Sequence, residues 1–182
     1  SKLFIKRDNR NDKTKQSLNR ARYSIANKSN SIYLAVGDTA PRFSNLTYSG
    51  RRSLGSEIKL DTLKFLGLKN FLTLHIAHGD TKTKIPIQTS VTQGTFKQTM
   101  SGIKLGLNVG KLNHYINYIK IKDDLNSLTN AETGITKPLE NHVLSFGLDY
   151  KLFNLTKLSW EVAGSAHYTD ANAESLDPSE LD

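Results

Sequence analysis

From Leu144 onward the chain alternates. Leu144, Phe146, Leu148, Tyr150 and Leu152 are apolar, while Ser145, Gly147, Asp149 and Lys151 between them are small or polar. After a short break the rhythm returns, with Leu158, Trp160, Val162, Gly164, Ala166 and Tyr168 set against Ser159, Glu161, Ala163, Ser165 and His167. A period of two belongs to a β-strand with one apolar and one polar face. A helix would turn Leu144 and Phe146 about 200° apart and give them no common side.

The same template recurs upstream. Leu54, Ile58 and Leu60 alternate with Ser53, Glu57, Lys59 and Asp61, and Leu72, Leu74 and Ile76 alternate with Thr73, His75 and Ala77. Ile103, Leu105, Leu107 and Val109 alternate with Lys104, Gly106 and Asn108, and Ile32, Leu34 and Val36 form a shorter case. The stretch from Asn113 to Ile121 is less regular. Tyr115, Ile119 and Ile121 fall on one side there, and Ile116 and Tyr118 on the other. Strands are predicted near 2–6, 19–27, 31–37, 52–64, 70–78, 95–109, 113–122, 142–152 and 157–169. No amphipathic helix of ten or more residues and no fixed-period repeat appears.

The links between these strands alternate in length. Residues 7–18, 38–51, 79–94 and 123–141 form long links rich in Asp, Asn, Thr, Gly and Pro. Lys28–Asn30, the Gly67 region, Gly110–Leu112 and Phe153–Thr156 form short ones. An antiparallel meander with short turns at one end and long loops at the other is the plan of a transmembrane β-barrel. Strand length agrees. About ten residues rise roughly 33 Å, and tilted by about 40° they cover about 25 Å, the height of a lipid-facing band. The expected fold is therefore all-β: an antiparallel up-and-down transmembrane barrel, partial, with about nine strands visible. It forms a single unit over 1–182, with a basic start (1–30), a meander (31–170) and an acidic loop (171–182).

Alternation also assigns faces. Leu72, Leu74, Ile103, Leu105, Leu107, Leu144, Phe146, Leu148, Trp160 and Val162 are expected to face lipid. Glu57, Lys59, Asp61, Lys104, Asp149, Lys151 and Glu161 are expected to face the lumen, joined by Asn108 and His167. The inverse register would place each such lysine in hydrocarbon, at about 2–4 kcal/mol near the midplane. Tyr150, Phe153 and Tyr168, with Phe65 and Phe71 beside a short turn, stand where an interfacial aromatic belt would run. A soluble β-sandwich also has one apolar face, and periodicity alone leaves it open.

Composition trims the alternatives. The chain has 182 residues, no cysteine and a net charge of +8. Disulfide scaffolds, thiolate metal sites and cysteine nucleophiles are excluded. Charge is uneven: residues 1–30 hold nine Lys/Arg against two Asp/Glu, and residues 170–182 hold five Asp/Glu and no Lys/Arg. Apart from the segment Lys2 to Arg22 the cations scatter, with neither a recognition helix nor an aromatic-basic string, so nucleic acid is not an expected partner. The chain starts inside a predicted strand without a leader-type segment, so a processed or truncated piece of a longer protein is expected.

Chemical motifs are sparse. His75 and His78 lie three apart and on a strand point to opposite faces, which defeats chelation. Asp123, Asp124, Asn126 and Ser127 offer oxygen donors in Ca²⁺-like variety, but their spacing matches no calcium loop and suits a turn. GLKN (67–70) and GLNVG (106–110) precede no helix, and no G-x-S-x-G organises a nucleophile. No catalytic residue, metal or cofactor is expected.

Three strings are distinctive: KDDLNSL (122–128), PLENHVLSFGLDYKLF (138–153) and LSWEVAGSAHYTD (158–170). With VGDTAPRFSNLTYSG (36–50), they resemble outer-membrane β-barrel proteins of Bacteroidota- and Chlorobi-type Gram-negative bacteria, over roughly residues 31–170. The resemblance implies an outer-membrane location and a larger barrel, and supplies no catalytic residues. The expected function is a pore, a transport or secretion channel, or a surface scaffold. Its partners would be the lipid bilayer and other envelope proteins met through the long loops. The alternative is a soluble all-β binding or adhesion module of a secreted protein.

Overall fold

The computed structural model describes residues 1–6, 20–27, 31–61, 72–86, 94–128, 137–153 and 156–169. Nine strands follow one another across a single antiparallel sheet in chain order. They are β1 (Lys2–Lys6), β2 (Arg20–Ala26), β3 (Ile32–Thr39), β4 (Ser53–Asp61), β5 (Leu72–Lys82), β6 (Gln98–Val109), β7 (Leu112–Asp123), β8 (Glu140–Phe153) and β9 (Thr156–Tyr168). A single 3-10 turn, Leu125–Ser127, is the one helical element among the described residues. The all-β, up-and-down architecture expected from the alternation is the observed one. Among the described residues β1 and β9 do not pair with each other, so the sheet is open.

Several strands outrun their predicted ends. β5 continues to Lys82, β7 to Asp123 and β8 begins at Glu140. At these ends both faces are polar, so the alternating signal fades while backbone pairing continues. β6 and β7 are joined by only Gly110 and Lys111, since Val109 pairs with Leu112. Of the other short links, Lys28–Asn30, the Gly67 region and Asn154–Leu155 lie outside the described residues, as do Phe65 and Phe71.

The two faces differ in an unusual sense. On one face the large apolar side chains lie open: Leu144 is 58% exposed, Leu105 43% and Trp160 53%. On the other face several polar residues are buried, Asn117 at 0% exposure and Glu57 and Ser145 at 2%, while Lys59, Lys151 and Lys157 stay exposed. A soluble sheet of this kind hides its leucines and wets its carboxylates. Here the pattern is inverted. The faces are called bare and covered below.

The covered face earns its name at the long-loop end. Phe43 and Tyr48, from the segment joining β3 to β4, pack with Ala77, Met100 and Ile119, and Ile121 and Val143 flank them. A Cβ at Gly102 would stand 2.6 Å from the Phe43 ring, so only glycine lets the segment lie so close to β6. This explains the irregular reading of 113–121. The apolar residues of β7 change face along the strand: Ile116 and Tyr118 lie on the bare face, while Ile119 and Ile121, beside Lys120 and Lys122, lie on the covered face and meet the folded-in segment.

The apolar band on the bare face does not run straight across the strands. One row of paired positions reads Leu3, Tyr23, Val36, Ser56, His78, Ser101, Lys120, His142. It is apolar from β1 to β3 and polar from β4 to β8. On β8 the band ends at Leu144, two residues short of this row, whereas on β1 it includes Leu3 and Ile5. Between β3, where it spans Ile32 to Val36, and β8, where it spans Leu144 to Leu152, its midpoint shifts by about four residues over five strand spacings, an inclination of roughly 30° between band and strand normals. That is close to the strand tilt of barrels.

Candidate functional site

Seven charged residues were expected on one face, and pairing places all seven there. Register carries the alternation from strand to strand, because a partner across the ladder shares the face. One row of the covered face reads Tyr33, Lys59, His75, Lys104, Asn117, Ser145, Ala163. The next row toward the short turns reads Asp61, Thr73, Gly106, Tyr115, Gly147, Glu161. Asp149 follows, opposite Asn113 and Ser159, and Lys151 opposite Lys157 comes last. A row with two lysines is therefore flanked by Glu57 on one side and by Asp61, Glu161 and Asp149 on the other.

Local contacts hold these groups in place. The Glu57 carboxylate lies 2.9 Å from Lys59 Nζ and 2.9 Å from His75 Nε2. A face of that histidine's ring is covered by Phe43, stacked at 4.4 Å between ring centroids and 13° between planes. Lys104 Nζ donates to the Phe43 carbonyl oxygen at 2.8 Å and stands 3.9 Å over the Tyr115 ring. Lys104 and His75, neighbours in one row, thus clamp the folded-in segment at a single residue. Gly147 makes room for the Tyr115 ring, since a Cβ there would sit 2.1 Å from it. Asn117 donates through Nδ2 to Ser145 Oγ at 2.8 Å, and Asp149 is bridged by Lys157 at 2.9 Å.

Sequence reasoning missed part of this lining. Lys157 shares the face and pairs with Asp149, but it stands next to a break in the alternation. Arg22 donates to the Tyr33 hydroxyl, and its guanidinium lies 5.9 Å from that ring, with Lys59 5.2 Å from it on a neighbouring strand. The aromatic pair Phe43 and Tyr48 also went unassigned. Its signal was available, because two aromatics stand in an otherwise polar loop. Burial pushes the Tyr48 phenol above its ordinary range, and Arg51 opposes that only in part.

The bare face carries the ten residues expected to meet lipid, in the parity expected. Leu72, Leu107, Ile103 and Phe146 are all exposed, and Leu74 and Leu148 are half-buried. Tyr150 and Tyr168 are exposed on this face, near opposite ends of it. The Phe153 side chain lies outside the described residues. Beyond the apolar band on the loop side, Glu140 accepts from Lys120 at 2.7 Å, with Lys122 at 3.4 Å and His142 at 2.8 Å. The Lys120 ammonium, His142 and Lys122 hold the Glu140 carboxyl down at about 2.

The candidate oxygen cluster is a turn. Asp124 accepts from Asn126 N at 3.1 Å as a cap, and Asp123 accepts from Leu139 N and from Gln98 Nε2, both at 2.9 Å. His75 and His78 occupy opposite faces: His75 binds Glu57, and His78 Nδ1 meets Ser101 Oγ at 2.8 Å. Among the described residues no three acidic or imidazole groups gather as metal ligands. No helix among them is long and apolar enough to cross a membrane, which leaves strands untouched. No protein-family model matches the chain, and neither a curated protein nor a solved structure matches it.

Proposed function

We propose that this chain is part of the wall of an outer-membrane β-barrel, with its bare face toward lipid and its covered face lining a water-filled passage. The barrel serves as a pore, a transport or secretion channel, or a surface scaffold. The observation that carries this reading is the inverted burial: open leucines and a tryptophan on one face, buried Glu57, Asn117 and Ser145 on the other. The inclined apolar band supports it independently, because a barrel strand crosses the bilayer at such an angle. As a soluble module the chain would need Leu144, Phe146, Trp160 and Val162 in a core. They are 58%, 42%, 53% and 54% exposed.

The mechanism is physical. Lys59 and Lys104 in one row, with acidic groups to either side, set a field across the passage that biases charged solutes. The seven expected charges are three basic and four acidic, and with Lys157 and Arg22 the named lining is five basic against four acidic, close to balance. Ion selectivity is therefore weak. The segment between β3 and β4, clamped by Lys104 and His75, narrows the passage on the loop side.

The deciding experiment is membrane fractionation of the source cells, then gel mobility of boiled and unboiled protein. Outer-membrane recovery with a heat-dependent shift is expected. Recovery in the soluble fraction without a shift would favour the adhesion module. In planar bilayers, the double variant Lys59→Glu, Lys151→Glu should move the reversal potential toward cation preference, and an unmoved potential would remove these residues from the passage.

A further inference from the structure

On the bare face β9 carries Gly164 and Ala166, paired with Leu144 and His142 of β8. These small residues leave a groove of about 550 Å³, walled by Tyr118, His142, Leu144, Phe146 and Val162. A Cβ added at Gly164 would meet nothing within 4 Å, so the floor is open. Most of the wall is hydrocarbon. At the loop-side end it turns polar, where the Tyr118 hydroxyl lies 2.7 Å from His142 Nδ1 and His142 Nε2 reaches Glu140. Glu140 there faces both Lys120 and Lys122, which are 38% and 42% exposed. One carboxylate against two ammonium groups leaves the mouth of the groove net positive before His142 is counted.

We propose that this groove binds a phosphate-bearing lipid of the loop-side leaflet, with one acyl chain lying over Gly164 and Ala166 and the phosphate seated at Lys120 and Lys122. The inference rests on the membrane reading above. Three features fit this ligand together. The groove is apolar along the length a chain would occupy. Its charge appears immediately past Leu144, the last apolar position on β8, which is the depth at which a headgroup begins. The uncompensated charge has the sign that a phosphate needs. A second copy of this chain is a poorer occupant: two parallel copies meeting symmetrically at this groove would bring like-charged mouths to the same height.

Trp160 supplies the probe. It is the chain's one tryptophan, lies on the bare face, and touches the groove wall edge-on through Phe146 at 6.2 Å between centroids. The protein is reconstituted in phosphatidylcholine vesicles, and Trp160 fluorescence is quenched by either brominated phosphatidylcholine or phosphatidic acid with the same brominated chains. Phosphatidic acid should quench at least about fivefold more strongly per mole, the enrichment that a surface cation gives an anionic lipid. The double variant Lys120→Gln, Lys122→Gln should lose that excess and keep the phosphatidylcholine response. Lys120→Arg with Lys122→Arg should retain it, and Gly164→Leu, which fills the floor, should reduce it.

Equal quenching by the two lipids, or an excess that survives both the Gln pair and Gly164→Leu, overturns the site and leaves the membrane reading standing. Quenching by neither lipid overturns both, because Trp160 would then lie outside the bilayer. Quenching that falls as protein is crowded at fixed lipid assigns the groove to a second copy, and this too overturns the proposal.

Discussion

Lys104 and Leu105 are neighbours on β6, yet the lysine is the half-buried residue and the leucine is 43% exposed. Across the ladder the contrast repeats, with Asn117 buried beside an exposed Ile116 and Ser145 buried beside an exposed Phe146. Burial and hydrophobicity have come apart, and one backbone carries both sides of the separation. Left in water, such a face forfeits about 25 cal/mol for each Å² of apolar surface. In the proposed setting it meets a solvent that is itself apolar. A one-residue slip of register would exchange the two faces entirely, so pairing fidelity keeps Lys104 and Leu105 each on its own side.

The strongest test of the comparison is a charge on the bare face. Leu105→Lys should cost about 2–4 kcal/mol in lipid vesicles. In plain water the same change on an exposed site should stay within about 0.5 kcal/mol. Urea unfolding of the variant in both settings checks this, and equal costs would erase the distinction between the faces. A bulkier residue on the covered face comes next. Gly102→Val should displace Phe43 and destabilise by about 1–3 kcal/mol. Protease cleavage within 40–52 should accelerate, since the clamp at Lys104 and His75 loses its occupant, and an unchanged cleavage rate would refute the seating described.

A smaller effect is expected of Glu57→Gln, which keeps shape but withdraws the charge from Lys59 and His75. The loss should be about 1–2 kcal/mol, read as a lowered urea midpoint, and His75→Asn on the same background should then cost less than it does alone. The smallest change is Asp124→Ala, which removes the cap of Leu125–Ser127 for about 0.5–1 kcal/mol. It should leave the order of the two faces untouched. A large loss there would mean that the loop end, rather than the strands, organises the sheet.

Much of this was legible in the residues. Strand number, order and side-chain parity follow from alternation, because a ladder forces paired residues to a common face and each apolar row declares itself. The strand ends were harder. Beyond Ala77 and before Val143 the two faces become equally polar, so nothing in the pattern says that pairing continues to Lys82 or starts at Glu140. The folding of Phe43 and Tyr48 onto the covered face was hidden for another reason. It depends on Gly102 lying next to Ile119 across strands, a proximity that register creates and a linear pattern does not display. Lys157 escaped because it follows a turn that interrupts the count.

The slope of the apolar band has an architectural consequence. All described loop-side strand ends fall level in the pairing register, while the band climbs toward β1. In the proposed orientation the wall is therefore not of even height. β8 runs about 13 Å past Leu144, its last apolar position, with Lys120, His142 and Glu140 on the outer surface there, whereas on β1 the described strand is apolar on that surface as far as Ile5. The described outer surface is therefore charged at its β8 flank and apolar at its β1 flank. In the proposed orientation, whatever approaches along the surface meets ammonium and imidazole groups at the β8 flank and aliphatic side chains at the same register level on the β1 flank.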